Sequence, residues 1–283
     1  VRTRAVLLVI AVASSAAIAQ PAHPPLLVRG DAAAWQAVSA SWERLGGLRS
    51  YRMKLVPAPG MQGAEKMTMV IEVVAPDRRR MVVDVEDSMT IETITVGQEF
   101  RRRLTLRGQL AQQAAQNPAM AGQIANQIGG GFFGSLSNII AAVTNPLGFV
   151  ANLAFSWIAS RVTSRVASAG ADDLRPGVWS CKRPGAGAPS SQGSSAPPSA
   201  TEVTAVAAGE SLVEGARTRV FDVTFSGQQS GQAWTSKMRV HVLDDRQVPR
   251  RIEMFDEQGT PAGFFDYTDL DAPITIDLPA CPP

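Results

Sequence analysis

The chain has 283 residues, with 27 Lys and Arg against 25 Asp and Glu, and 45% of it is hydrophobic. So even a balance tells against a nucleic-acid partner, which would need a basic face, and two His with two Cys leave no metal-ligand cluster. Charge is also unevenly placed: none lies between Arg107 and Arg161, although charged residues make up 18% of the chain.

Residues 1–19 read as a signal peptide: Arg2 and Arg4 give a basic start, residues 5–12 are apolar, and Ala17-Ile18-Ala19 is a small-x-small cleavage site before Gln20. The initial Val is consistent with an alternative start codon. No Cys follows the cleavage site, so no lipobox is present and a periplasmic or secreted protein is expected. In that oxidising compartment the two Cys, Cys181 and Cys281, most simply pair.

Residues 20–30 look like a loose Pro-rich leader. Asp31 then caps a predicted helix through Leu45, with Trp35, Val38, Trp42 and Leu45 at spacings of three and four and Gly46-Gly47 ending it. Its apolar face predicts that it lies on a sheet.

After Ser50 the period changes to two. Residues 51–55, 67–74, 80–85, 89–96 and 99–106 read as strands of an antiparallel meander, separated by Pro76-Asp77, Glu86-Asp87 and Gly97-Gln98. Met53, Met67, Met69, Met81 and Met89 recur along them. Met fills irregular apolar space, so these side chains are either ordinary core or part of a ligand wall, with Met69 and Met81 as candidate ligand contacts.

The uncharged stretch, residues 108–160, is apolar at near-helical spacing in its second half. Asn145-Pro146 reads as a helix start, giving two short helices, residues 134–143 and 146–166, with Gly129-Gly130-Gly131 as a hinge. Three readings stand: a membrane span within residues 139–162, for which about 20 apolar residues are needed; a buried hairpin under the sheet; or a hairpin that lines or closes a lipid-sized cavity, or docks on a membrane surface. The last is favoured by a polar face of Ser, Asn, Gln and Ala where a solvated helix is normally charged. On it Phe133, Leu136, Ile140, Leu147, Val150 and Trp157 are the candidate ligand contacts.

An extended segment resumes at Gly177-Val178-Trp179-Ser180-Cys181, and residues 184–200 form a flexible loop by composition. Strands follow at residues 202–212, 218–226, 233–243, 248–255 and 263–267, with Phe221, Val223 and Phe225 on one face and Asp222 and Thr224 on the other. One continuous curved sheet is the economical arrangement: a single domain over residues 20–283 with an insert at about 108–176 and a loop at about 184–200.

The order of these elements carries a resemblance. A leading helix, Tyr51 opening the first strand, Val74-Ala75-Pro76-Asp77-Arg78, Ile94-Thr95-Val96-Gly97, Leu212-Val213-Glu214-Gly215 with Thr218-Arg219-Val220-Phe221, and the ending Tyr267-Thr268-Asp269-Leu270 with Pro273, Ile274 and Leu278-Pro279 together resemble the LolA-type lipoprotein-carrier superfamily. That superfamily includes LppX, LprG and the amino-terminal domain of RseB. The resemblance implies an α+β, mainly β fold: an incomplete β-barrel of curved antiparallel sheet, closed by helices, whose apolar concavity takes acyl chains. The uncharged insert and the Cys pair depart from the LolA pattern, so cavity and ligand class are what it carries over.

Motifs for chemistry point the same way. A nucleophile needs a base within reach, but His23 lies in the leader and His241 on an alternating strand. Asp266, Asp269, Asp271 and Asp277 do not form a calcium loop, and Gly129-Gly130-Gly131 has no phosphate-loop context. Arg78-Arg79-Arg80 and Arg101-Arg102-Arg103 read as edge protection or as a rim for anionic headgroups. The expectation is a non-enzymatic lipid or lipoprotein carrier without cofactor, its partner a lipid or acyl chain, with a membrane surface as a further contact. The alternatives are an RseB-like module that binds an envelope protein and a structural envelope protein with a filled barrel.

Overall fold

In the computed structural model the described residues are 26–58, 67–97, 99–117, 176–182, 201–229, 232–255 and 258–281. The alternating segments form one 12-stranded sheet in the order β1-β8-β9-β10-β11-β12-β2-β3-β4-β5-β6-β7. Its strands are β1 Leu26–Gly30, β2 Ser50–Pro57, β3 Met67–Val74, β4 Arg78–Val85, β5 Met89–Val96, β6 Glu99–Leu106, β7 Trp179–Lys182, β8 Thr201–Val213, β9 Ala216–Gln229, β10 Gln232–Leu243, β11 Pro249–Phe255 and β12 Pro261–Thr268. All neighbours are antiparallel except β1 and β8, and the sheet is open and curved, as expected from the sequence.

Helix α1, Ala32–Gly46, begins where Asp31 accepts the amides of Ala33 and Ala34 at 2.8 and 3.1 Å. Those bonds satisfy two of the orphan donors of its first turn. Its apolar stripe, Trp35, Val38, Trp42 and Leu45, is buried against β8–β11. There Trp35 meets Phe225 edge to face, with ring centroids 6.0 Å apart. A second helix, α2, Gly108–Gln116, follows β6 and buries Ala114.

The two groups of strands join at the β12–β2 seam, where Phe265 lies opposite Leu55 and Tyr267 opposite Met53. Gly263 permits this approach. Its φ is +145° and a Cβ there would meet the Val56 carbonyl oxygen at 2.8 Å, so the position favours the one residue without a side chain.

Two expectations need correction. Residues 26–30 are not a loose leader but β1, paired in parallel with β8 from Leu26 opposite Thr201 to Gly30 opposite Ala205. That pairing spans about 175 residues of sequence, so nothing local announces it. The arginine runs are not edge protection either, because β4 and β6 are interior strands and the sheet edges are β1 and β7.

Alternate arginines instead build an ion-pair ladder on the outer face. Arg52 donates to Glu72 at 2.8 Å and also pairs with Asp269, Arg80 bridges Glu72 and Glu92 at 3.4 and 2.8 Å, and Arg103 donates to Glu92 at 2.6 Å. Arg103 also stacks over Trp179, 4.7 Å from the ring centroid. The ladder therefore ties β2 through β7, and the shared carboxylates make it a network rather than isolated pairs.

Cys181 on β7 and Cys281 form the expected disulfide. It fastens a C-terminal strap that starts at β2, where the Asp271 amide donates to the Ser50 carbonyl at 2.8 Å. The strap passes Arg78, which donates to the Ile276 carbonyl at 3.1 Å, and buries Ile276 on the way.

Candidate functional site

Strand alternation and register decide what each face of the β2–β6 meander presents. On the inner face one row runs Leu55, Met69, Val83, Ile91, Leu104, and the next, toward the β4–β5 turn, runs Met67, Val85, Met89, Leu106. Each residue in these rows is directly opposite its neighbour, so the side chains form a continuous apolar wall. Toward the other strand ends the rows become polar: Met53, Ile71, Met81, Thr93, Arg102, then Tyr51, Val73, Arg79, Thr95, Phe100.

Met69 is buried in this wall and Met81 packs half-buried against it, so both methionines singled out in the sequence share the inner face. The other candidate contacts, Phe133, Leu136, Ile140, Leu147, Val150 and Trp157, lie outside the described residues, as does the whole of the proposed hairpin. Among the described residues no helix is long and apolar enough to cross a membrane. Helix α1 rests on the opposite half of the sheet, over β8–β11.

Arg102 escaped the sequence reading. It appears there as the middle of a basic run, yet its parity is that of Leu104 and Leu106, and it is among the most completely buried large side chains. Burial lowers the pKa of its guanidinium. The signal was present in the alternation Arg102, Leu104, Leu106, which places Arg101 and Arg103 on the other face.

Three of the four aspartates weighed as cation ligands have structural partners. Asp266 takes two hydrogen bonds from Arg251, at 2.6 and 3.0 Å, Asp269 pairs with Arg52, and Asp271 accepts the Arg49 amide at 2.8 Å. Among the described residues no group of His, Cys, Asp and Glu could hold a metal ion. His241 faces outward between β9 and β11. Its Nδ1 is 2.9 Å from the Ser211 hydroxyl, and its Nε2 is 3.3 Å from Glu253, within ion-pair reach but not aligned as a hydrogen bond. The Ser211 hydroxyl is also shared with Thr218 at 2.9 Å, so the cluster cross-links strands on the outer face.

The described residues thus form an open, curved, mainly antiparallel sheet with a helix on its inner side. Solved structures of similar shape include lipoprotein LppX of Mycobacterium tuberculosis, at 11% identity and a TM-score of 0.43 over 88% of this chain and 100% of that one. LprF of Mycobacterium bovis matches at 11% identity and a TM-score of 0.43 over 89% and 99%. The MucA/MucB complex of Pseudomonas aeruginosa matches at 12% identity and a TM-score of 0.34, over 83% of this chain but 56% of that one. No protein-family model and no curated protein matches the sequence.

Proposed function

We propose that the protein is a non-enzymatic carrier of the cell envelope that binds a lipid or other acyl-chain ligand against the inner face of β2–β6. The observation that carries this reading is the apolar wall formed by Leu55, Met69, Val83, Ile91 and Leu104, on the half of the sheet opposite the one α1 covers. Flexible Met side chains on that wall, Met67, Met69, Met81 and Met89, suit a ligand without fixed shape. Burying a 16-carbon chain at about 0.8 kcal/mol per methylene yields on the order of 10 kcal/mol before entropic losses, which is enough for a carrier. In this reading Phe133, Leu136, Ile140, Leu147, Val150 and Trp157 complete the site from the uncharged insert.

Native mass spectrometry of protein purified without detergent, followed by solvent extraction, tests it. The expected result is a co-purifying amphiphile of a few hundred daltons or more. A mass that stays that of the bare chain, even after incubation with fatty acids and phospholipids, refutes the reading and turns the search to envelope protein partners.

A further inference from the structure

Cys181 and Cys281 join two segments that lie outside the hydrophobic core. Among the described residues that core draws on α1, β2–β6 and β8–β12, with no member from β7 or from the strap beyond Leu270. Strand β7 is four residues long, stands at the sheet edge and pairs with β6 alone. Beyond the buried Ile276 the strap runs to the disulfide with Asp277, Ala280 and Cys281 exposed. The bond therefore sits at the rim, between a chain end and an edge strand, where opening it leaves the packing of the core untouched.

The two sulfurs are not equivalent. Cys281 is exposed, whereas Cys181 is half-buried. Arg101 lies directly opposite Cys181 in the β6–β7 register, so both side chains are on the outer face. Arg101 pairs with Glu99 at 2.7 Å, yet its buried Nε makes no hydrogen bond. A guanidinium beside a sulfur stabilises a thiolate there, and the better-stabilised thiolate is the faster leaving group. An incoming thiolate thus reaches Cys281 and displaces Cys181.

We propose that this bond is a redox clasp, opened by an external protein dithiol. One thiolate of the dithiol attacks Sγ of Cys281, forming a mixed disulfide and expelling the Cys181 thiolate, which then takes a proton. The second thiol loses its proton, attacks the mixed disulfide and releases Cys281, which is protonated in turn. Two electrons and two protons pass from the dithiol, which ends as a disulfide. Residues 277–281 and β7 are released, while the other strands of the 12-stranded sheet stay paired. This inference is independent of the acyl-ligand reading.

The test exposes the oxidised full chain to dithiothreitol or glutathione without denaturant and quenches with N-ethylmaleimide. Dithiothreitol should leave both cysteines alkylated and the far-UV circular dichroism unchanged, with hydrogen exchange raised in residues 277–281 and β7 alone. Brief glutathione treatment should give a species with glutathione on Cys281 and maleimide on Cys181. Arg101→Gln should slow reduction severalfold, whereas Arg239→Gln, on the outer face of β10, should not; should Arg101→Gln fail to fold, the position of the glutathione in wild type still decides the direction of attack. A bond that opens only in denaturant, or a reduction that also raises exchange in α1 and β8–β12, overturns the clasp. Glutathione on Cys181, or equal rates for Arg101→Gln and wild type, overturns the role given to Arg101.

Discussion

Cys281 is bonded to Cys181 across 100 residues of sequence, so the C-terminal strap is locked over the outer face of β2–β7. The bond closes a long loop in the unfolded chain, which the loop-entropy model values at about 4 to 5 kcal/mol. Cys281→Ser should therefore lower the urea-unfolding free energy by an amount of that order. An unchanged midpoint would mean that the strap holds by its hydrogen bonds and the burial of Ile276 alone.

The outer ladder makes a sharper prediction. Glu92 takes hydrogen bonds from both Arg80 and Arg103, and its side chain is 10% exposed. The neighbouring Arg80 has its pKa raised by its hydrogen bonds and attraction to Glu92 and Glu72, which outweigh the opposing effect of burial. Glu92→Gln leaves two guanidinia short of a shared charge in a half-buried place. It should cost about 1–3 kcal/mol in chemical denaturation. Glu99→Gln removes a more exposed partner of Arg101, and its effect should stay within about 0.5 kcal/mol.

His241 links stability to pH. Burial lowers its pKa below the ordinary 6.5, with Arg251 and Arg239 adding to that lowering and Glu253 opposing it. The unfolded chain then binds a proton at a higher pH than the folded one, so stability is full above about 6.5 and falls as pH drops toward the folded value. Between pH 7.5 and 5.5 the wild type should lose more unfolding free energy than His241→Asn. Parallel losses in the two proteins would show that carboxylates account for the whole pH dependence.

Much of this architecture could be read without coordinates, for local reasons. Trp35, Val38, Trp42 and Leu45 announce α1 because helix period and buried stripe coincide. The meander is legible because turn residues separate short alternating runs, as at Glu214-Gly215, where both residues adopt positive φ. Strand β1 is not legible: five residues of a Pro-rich segment pair with a partner that only the complete sheet brings near. The wall was half legible. Met69 and Met81 stand out by residue type, whereas the inward direction of Arg102 is carried by its alternation with Leu104 and Leu106 and hidden by the basic run around it, and that of Thr93 by its register opposite Arg102.

The seam offers a test of how the two strand groups are held together. Gly263→Ala places a methyl carbon 2.8 Å from the Val56 carbonyl oxygen, at a backbone angle that L residues rarely adopt. Destabilisation of more than about 1 kcal/mol is expected, since strain at positive φ adds to the collision. Hydrogen exchange should locate the loosening in β12 and β2. A neutral substitution would show that the seam slides to accommodate the extra carbon.

The last prediction concerns the wall itself. Met81 packs half-buried on it, in the row that leads from Ile71 to Thr93 and Arg102. Met81→Gln keeps nearly the same length and shape but puts an amide against the acyl chain, where it can recover only part of its hydration. Because the position is not fully enclosed, the amide can reach solvent in the empty protein and the sheet should remain folded by circular dichroism. Uptake of palmitate and hexadecanol should fall together, by about tenfold for a penalty near 1.4 kcal/mol. If uptake of both is unchanged, the chain does not lie along Met81, and the ligand must be sought on another part of the inner face.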